Sequence, residues 1–235
     1  MDNQEDFIST VSHELRTPLT SIRGFAQTML SSWDKLDDNS KKKFLTIIEQ
    51  QSNRLINLVE NILSVTKIPK ESMILTNINV NSSILPVIQI IEQQYKNHKI
   101  IKVFQNNLPT ISVDLEKFQQ IMINLIENAA KYSDEKTDIN VITESSDKFV
   151  SIKVQDKGIG IDEQFASKIF EKFSRIDNPL TRKTQGSGLG LYITKTLVEK
   201  MNGEISFRNL EHGTEFEVKF PVYNIEAHVK CSVTQ

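Results

Sequence analysis

Two apolar stripes near the start of the chain restrict its fold more strongly than any other feature. Apolar or tolerated residues recur at alternating steps of three and four, first over positions 8–29 and again over positions 44–65, a spacing typical of helices packed along a seam. The first stripe is Ile8, Val11, Leu15, Pro18, Ile22, Phe25 and Met29, and the second is Phe44, Ile48, Gln51, Leu55, Leu58, Ile62 and Val65. Between them lies a polar stretch in which Asn39 or Ser40 can cap the second helix. The stripes therefore predict an antiparallel helical hairpin.

A second apolar set makes each stripe wider than one partner helix could cover. Its members are Leu19, Ile47, Ile56, Val59 and Leu63. Either the rest of the chain covers this face, or a second copy of the hairpin does so in a symmetric dimer. We expect the dimer, which would form a four-helix bundle.

The sequence pattern changes after Ile68, where Pro69 opens a short polar connection that we interpret as a hinge. Beyond it, β-prone runs at 74–80, 100–105, 138–143, 149–155, 204–208 and 214–220 alternate with helical stretches at 82–97, 114–132, 162–173 and 187–201. This alternation predicts an α/β sandwich with helices on one face of a mixed sheet, and the whole chain is then of the α+β class. The predicted divisions are a helical domain at 1–68, a hinge at 69–72, a sandwich domain at 73–223 and a tail at 224–235.

Charge balance and cysteine count exclude several classes of protein. The 235 residues include 28 basic and 30 acidic side chains, so there is no excess positive field to attract nucleic acid or anionic lipid. No apolar run approaches the roughly 18 residues of a membrane-spanning helix. Cys231 is the single cysteine, which excludes an intrachain disulfide and a cysteine metal cluster. We expect no nucleic-acid partner and no direct membrane insertion of this chain.

His13 is the most reactive side chain on the predicted first helix. Glu14 is its neighbour, and Thr17 lies one turn further along the same face. Pro18 removes an intrahelical hydrogen bond and crowds the carbonyl of Glu14, so a bend is expected here. This arrangement is a nucleophile with a carboxylate and a hydroxyl nearby.

A polar line on the helix at 114–132 has the chemistry of a nucleotide site. Asn124, Asn128 and Lys131 are spaced i, i+4 and i+7, so their side chains emerge in one line. A carboxamide oxygen can bind Mg²⁺, and an ammonium can neutralise phosphate. Taken alone, the line is also compatible with an ordinary polar face.

Two glycine clusters add to this site. Asp156 begins the first cluster, and its carboxylate can accept the amino hydrogens of adenine but cannot pair with the O6 of guanine. The second cluster, 186–190, opens a helix whose free N–H groups can hold phosphate. Between them, residues 178–185 are polar and basic and are expected to form a lid, and Arg175, in the segment before the lid, could reach phosphate. Neither a P-loop nor a dinucleotide-binding glycine motif is present.

With these residues in place, the chain resembles the catalytic core of a two-component sensor histidine kinase. Five motifs stand in that family's order: an H box at 12–19, an N box at 124–133, a G1 box at 156–161, an F box at 169–173 and a G2 box at 186–191. The resemblance implies a dimerisation and phosphotransfer hairpin followed by a Bergerat (GHKL) fold that binds ATP and Mg²⁺. It also implies that His13 is phosphorylated, that Glu14 is its polarising base, that Thr17 acts in dephosphorylation of the regulator and that Asn128 is the Mg²⁺ ligand. The implied ATP-binding residues are Asn124, Asn128, Lys131, Tyr132, Asp156, Gly158, Gly160, Ile161, Arg175, Gly186, Ser187, Gly188, Leu189 and Gly190.

The implied function is ATP-dependent autophosphorylation of His13, transfer of the phosphoryl group to an aspartate of a response regulator, and dephosphorylation of that regulator. The expected partners are a second copy of the chain and the regulator. Two alternatives stay open: a degenerate dimerisation and ATP-binding scaffold, and an ATPase of the GHKL type. We also expect the chain to be part of a longer receptor, with this core in the cytoplasm.

Overall fold

The computed structural model describes residues 2–174 and 187–223. It begins with a hairpin of two long helices, α1 (Asp2–Ser32) and α2 (Asp38–Lys67), joined through a 3-10 turn at Trp33–Lys35. The helices pack along the predicted seam: the rings of Phe25 and Phe44 lie 5.2 Å apart, and Leu58 and Val65 are buried. The predicted hairpin is therefore present.

The start of α2 differs from the expectation. Asp37 is the cap, and its carboxylate accepts a hydrogen bond from the backbone N–H of Ser40 at 2.7 Å. Asn39 and Ser40, which the sequence suggested as caps, lie inside the first turn. The carboxylate is acceptor-only and also favoured by the helix dipole, so aspartate competes well for this position. Further back, α1 continues without interruption through Pro18.

The remainder of the chain builds a sheet domain. The strands are β1 (Thr76–Ile78), β2 (Lys99–Phe104), β3 (Ile111–Val113), β4 (Asp138–Ser145), β5 (Phe149–Gln155), β6 (Glu204–Asn209) and β7 (Thr214–Pro221). The helices are α3 (Val80–Gln94), α4 (Leu115–Tyr132) and α5 (Gly190–Lys200). Strands β1 and β3 form an antiparallel pair, while the main sheet has the order β2-β4-β5-β7-β6. Only β2 and β4 are parallel neighbours in that sheet, which confirms the predicted mixed sheet.

The main sheet has one apolar face and one polar face. Val141, Val154 and Phe216 are buried and lie side by side across β4, β5 and β7. On this face, Phe118 of α4 packs against Phe220 with ring centroids 6.0 Å apart. The alternate residues of β4, β5 and β7, which point to the other face of the sheet, mostly have charged or amide side chains. The period of two along each strand thus positions α4, with its polar line, on a rigid apolar support.

Two sequence predictions for this domain are wrong. Residues 162–173 do not form a helix: the structure has a 3-10 turn at Glu163–Phe165, followed by further turns. Asp162 caps this short turn through the N–H of Gln164, and Phe173 has a positive φ of 58° that is incompatible with a continuing helix. The second error is that strand β3 was not predicted. This strand is only three residues long, which is too short for an alternating pattern to show.

Polar contacts connect the end of the hairpin to the sheet domain. The ammonium of Lys200, at the end of α5, donates to the backbone carbonyls of Ile68 and Glu71. The carboxylate of Glu71 also pairs with Lys117 at 3.3 Å. The predicted hinge at 69–72 is thus anchored on both sides in this conformation. Within the described parts of the chain, none of the helices is both long and apolar enough to cross a membrane.

Candidate nucleotide and phosphotransfer site

The predicted nucleophile lies on the outer surface of α1. His13 is exposed, and the hydroxyl of Thr17, also exposed, donates to the backbone carbonyl of His13 at 3.3 Å. This bond fixes the hydroxyl on the same side of the helix as the histidine, one turn away. The imidazole is therefore accessible to a second reactant, and Thr17 lies beside it.

Glu14 points toward the other helix of the hairpin. Its carboxylate Oε2 lies 3.3 Å from Nη2 of Arg54 on α2. Both side chains are about four-fifths buried, at 21% and 22% exposure. The sequence did not single out Arg54, because this contact joins residues 40 positions apart and leaves no local signal. That Glu14 bonds to the ring of His13 during reaction stays a prediction.

The polar side chains of Asn124, Asn128 and Lys131 on α4 all line one cleft, as their spacing predicted. The carboxamide Nδ2 of Asn124 donates to the hydroxyl of Thr194 on α5 at 2.7 Å, which orients the amide. Lys131 donates to Glu127 at 2.7 Å. Burial disfavours the charged ammonium of Lys131, but the hydrogen bond and charge of Glu127 outweigh it and raise the pKa of Lys131. Lys131 therefore stays a cation within a partly buried site.

A cleft of about 650 Å³ joins the line on α4 to the hairpin. Among its lining residues from the hairpin are Glu14, Arg54, Asn57 and Asn61. From the sheet domain it is lined, among others, by Asn124, Asn128, Lys131, Tyr132, Ser187, Gly188 and Gly190. A bond of 3.3 Å from Asn61 Nδ2 to Ser187 Oγ closes one side. Seven of the residues predicted to contact the nucleotide thus line the same cleft as Glu14, the residue next to His13.

Asp156 lies at the end of β5, outside the lining of that cleft, and is buried with 6% exposure. Its Oδ1 accepts the backbone N–H groups of Gly158 at 2.9 Å and Thr214 at 3.1 Å. Burial raises the pKa of the carboxyl, while these two N–H bonds oppose the increase. Both described bonds use Oδ1, so Oδ2 is left to accept from a ligand such as an adenine amino group.

Glycine is required where the loop after Asp156 meets α4. A Cβ on Gly158 would stand 2.0 Å from the carbonyl oxygen of Tyr132, a distance that no side chain tolerates. The same loop forms a bridge between Ser133 and Gly158. Further on, the carboxamide of Asn209 accepts from the N–H of Ile161 at 2.9 Å and donates to its carbonyl at 2.7 Å. Asn209 was not recognised from the sequence, since it lies 48 positions away on another strand.

Three further residues that were predicted to contact the nucleotide, Gly160, Leu189 and Gly190, lie in the two glycine clusters. Gly160 has a positive φ of 71° in the same loop. Leu189 is fully buried before α5 and therefore packs rather than faces the cleft. A Cβ added to Gly190 would lie 2.3 Å from Oδ1 of Asn124, so the carboxamide would have to move from the position in which it bonds to Thr194. The predictions for Arg175, Gly186 and the lid at 178–185 lie outside the described residues.

The residues of the cleft fit an ATP–magnesium complex better than a protein-held metal. In the described parts of the chain, no cluster of three or more His, Cys, Asp or Glu side chains is arranged to hold an ion. Asn128 supplies one hard oxygen at the cleft wall. Mg²⁺ commonly takes one or two protein oxygens and completes its shell with phosphate and water, so Asn128 is a suitable single ligand.

Comparison with known proteins places both halves of the chain in one family. Residues 3–71 match the family described as "His Kinase A (phospho-acceptor) domain". Residues 113–224 match "Histidine kinase-, DNA gyrase B-, and HSP90-like ATPase". The "Sensor protein kinase WalK" of Staphylococcus haemolyticus is 33% identical over 223 residues, which are 93% of this chain and 36% of that protein. The chain therefore belongs to the two-component histidine kinases and contains the hairpin and the ATPase domain of their catalytic core.

Solved structures agree with this assignment and with the GHKL ATPase fold. The histidine kinase ThkA in complex with the response regulator protein TrrA has a TM-score of 0.76 and 26% identity, covering 93% of this chain and 61% of that one. ShkA in complex with AMPPNP has a TM-score of 0.66 and 25% identity, covering 93% and 46%. The chain spans between 9% and 55% of the length of the curated relatives it matches.

Proposed function

We propose that this chain uses ATP to phosphorylate its own His13. The observation that carries the proposal is the shared cleft, in which Glu14, next to the histidine, faces the same space as Asn124, Asn128 and Lys131. An ATP site next to the helix turn that carries the phosphate acceptor reduces the entropic cost of bringing the two reactants together. ShkA, which was solved with AMPPNP, supports a nucleotide in this fold.

The proposed reaction follows from the residues at hand. One nitrogen of the neutral imidazole has a free lone pair, which attacks the γ-phosphorus as the bond from that phosphorus to the bridging oxygen breaks. ADP leaves, and the proton on the other ring nitrogen passes to Glu14. Asn128 would hold Mg²⁺, which together with Lys131 would neutralise the phosphate charge. Asp156 selects adenine by accepting hydrogen bonds from its amino group.

A labelling experiment tests this reaction. With magnesium and ATP labelled on the γ-phosphate, the protein should acquire a label that is lost in acid and retained in alkali. His13→Gln should remove it, while His212→Gln, which alters another exposed histidine, should retain it. Label on His13→Gln would refute the assignment. ATP binding without label would revive the scaffold interpretation, and steady turnover without phosphohistidine would favour a GHKL-type ATPase.

We further propose that a response regulator takes the phosphoryl group from His13 onto an aspartate, and that Thr17 helps remove it again. ThkA was solved in complex with a regulator, which supports such a partner. The hydroxyl of Thr17 is exposed one turn from His13, where it can orient a water molecule. Thr17→Ala should lose regulator dephosphorylation and keep labelling of His13. Thr20→Ala is the matched control, because Thr20 bonds to Arg16 in the same way on the same helix. Equal loss of both activities in Thr17→Ala would contradict this division.

The active unit that we propose is a homodimer. Of the second apolar set, Leu19, Ile56, Val59 and Leu63 are all exposed in the single chain, from 39% to 54%. The sheet domain therefore leaves this face uncovered, and four such side chains in one region favour an interface. A symmetric pair of hairpins would bury them in a four-helix bundle.

A further inference from the structure

The ion pair between Glu14 and Arg54 has a consequence for how the reaction is controlled. Both residues line the cleft from the hairpin, whereas Asn128 and Lys131 line it from the sheet domain. Glu14 is the carboxylate next to His13, and in this conformation it is directed to α2 by the guanidinium. The group proposed to take the proton of His13 is thus already engaged with a cation.

Both cations that line the described cleft are paired with carboxylates. Lys131 is bonded to Glu127 at 2.7 Å and Arg54 to Glu14 at 3.3 Å. The contact of Lys131 is shorter and lies within one helix. The contact of Arg54 is longer and bridges two helices, so it is the easier of the two to exchange.

A triphosphate entering this cleft competes for the guanidinium. The planar fork of arginine binds two oxygens of a phosphate at once, whereas its present contact with Glu14 uses the single nitrogen Nη2. Phosphate also carries more charge than a carboxylate. Exchange would therefore bring the terminal phosphate toward the hairpin and break the contact between Arg54 and Glu14 at the same time.

We propose that Arg54 is a positioning residue that exchanges Glu14 for the γ-phosphate of ATP, so that filling of the nucleotide site removes the Arg54 contact from the carboxylate next to His13. This inference rests on the proposed autophosphorylation and adds its trigger. ADP lacks the γ-phosphate and cannot drive the exchange. This exchange at Arg54 thus distinguishes ATP from ADP before any bond is broken.

Affinities for AMP-PNP and ADP, measured by calorimetry with magnesium, test the exchange. Arg54→Met keeps an unbranched apolar stem and removes the guanidinium with its charge, and should weaken AMP-PNP binding about tenfold, the loss of one hydrogen bond to a charged group. ADP binding should stay within about twofold. Arg54→Lys should recover part of the loss. Arg23→Met, at an exposed position on α1, is the matched control and should change neither affinity. Equal weakening of both nucleotides by Arg54→Met, or no change in either, would overturn the proposal.

A double-mutant cycle tests the role of Glu14 directly. Glu14→Gln removes the competitor of the phosphate and should tighten AMP-PNP binding about threefold or more, without an effect on ADP. In the Arg54→Met background the same change should have no effect. Persistent tightening in that background would mean general charge repulsion and would overturn the exchange. Labelling of His13 in the wild type, measured in the same preparations, distinguishes failure of the proposed function from failure of the exchange. Absence of label overturns the proposed function. Label on His13 together with equal effects of the substitutions on AMP-PNP and ADP affinity overturns only the exchange.

Discussion

Replacing Asp156 by asparagine should change nucleotide affinity and stability in opposite directions. Both described hydrogen bonds of the carboxylate, from Gly158 and Thr214, end on Oδ1. An amide can keep them, because its single carbonyl oxygen has two lone pairs. The amide nitrogen then replaces Oδ2 and presents a donor to the donor of adenine. Losing one buried acceptor costs about 1 to 3 kcal/mol, which is about fivefold to 150-fold weaker ATP affinity.

The stability of the nucleotide-free protein should respond to pH. Burial raises the pKa of Asp156 above its ordinary value of 3.8, so the folded state holds the proton more tightly than the unfolded chain does. The contribution of this carboxyl to stability is then complete below that value and decreases as pH increases through the raised pKa. At neutral pH the D156N variant should be at least as stable as the wild type, and this advantage should disappear in acid.

Calorimetry with ATP and GTP, together with thermal unfolding between about pH 4 and pH 8, measures both effects. The amide nitrogen of the variant can donate to the O6 of guanine, so the ratio of ATP to GTP affinity should fall. Asp147→Asn, at an exposed turn position, is the control and should leave the ratio unchanged. Unchanged ATP affinity in the D156N variant, or an affinity loss accompanied by a large loss of stability at neutral pH, would refute the reasoning.

Three further substitutions probe the rest of the architecture. Gly190→Ala places a Cβ 2.3 Å from Oδ1 of Asn124; this clash should outweigh the gain of about 0.5 to 1 kcal/mol for alanine in a helix and weaken ATP binding at least about tenfold in calorimetry. Lys200→Met removes two bonds to the backbone carbonyls of Ile68 and Glu71, and loss of about 1 to 2 kcal/mol should speed amide hydrogen exchange at Glu71 about fivefold to thirtyfold; unchanged exchange would mean that Lys200 does not hold this connection in place. Val59→Glu puts a charge into the proposed dimer face, and sedimentation at micromolar protein should show monomers; an intact dimer would place the interface elsewhere.

The hairpin was predictable because its pattern is local and long. Six steps of three and four in each helix specify one seam, and only the cap was misplaced, since Asp37, Asn39 and Ser40 are all good capping residues in one short stretch. The strands of the main sheet were likewise visible from their period of two. Residues 162–173 were not, because an amphipathic spacing does not reveal the positive φ at Phe173.

The candidate site was predictable where its residues follow one another on one element. Asn124, Asn128 and Lys131 share a face of α4, so their spacing alone places them together. Arg54 and Asn209 are different, because each meets its partner only after the chain has folded back over 40 or more positions. Such long-range pairs follow from packing rather than from local sequence.

Localisation of the phosphate by mass spectrometry, with the protein digested under alkaline conditions after incubation with ATP and magnesium, tests the central claim most directly. We predict a single phosphorylated site, His13, absent when magnesium is removed and absent in Asn128→Ala, whose carboxamide oxygen is the proposed Mg²⁺ ligand. Phosphate on another residue, or none in the wild type under conditions where ATP is bound, would contradict the account.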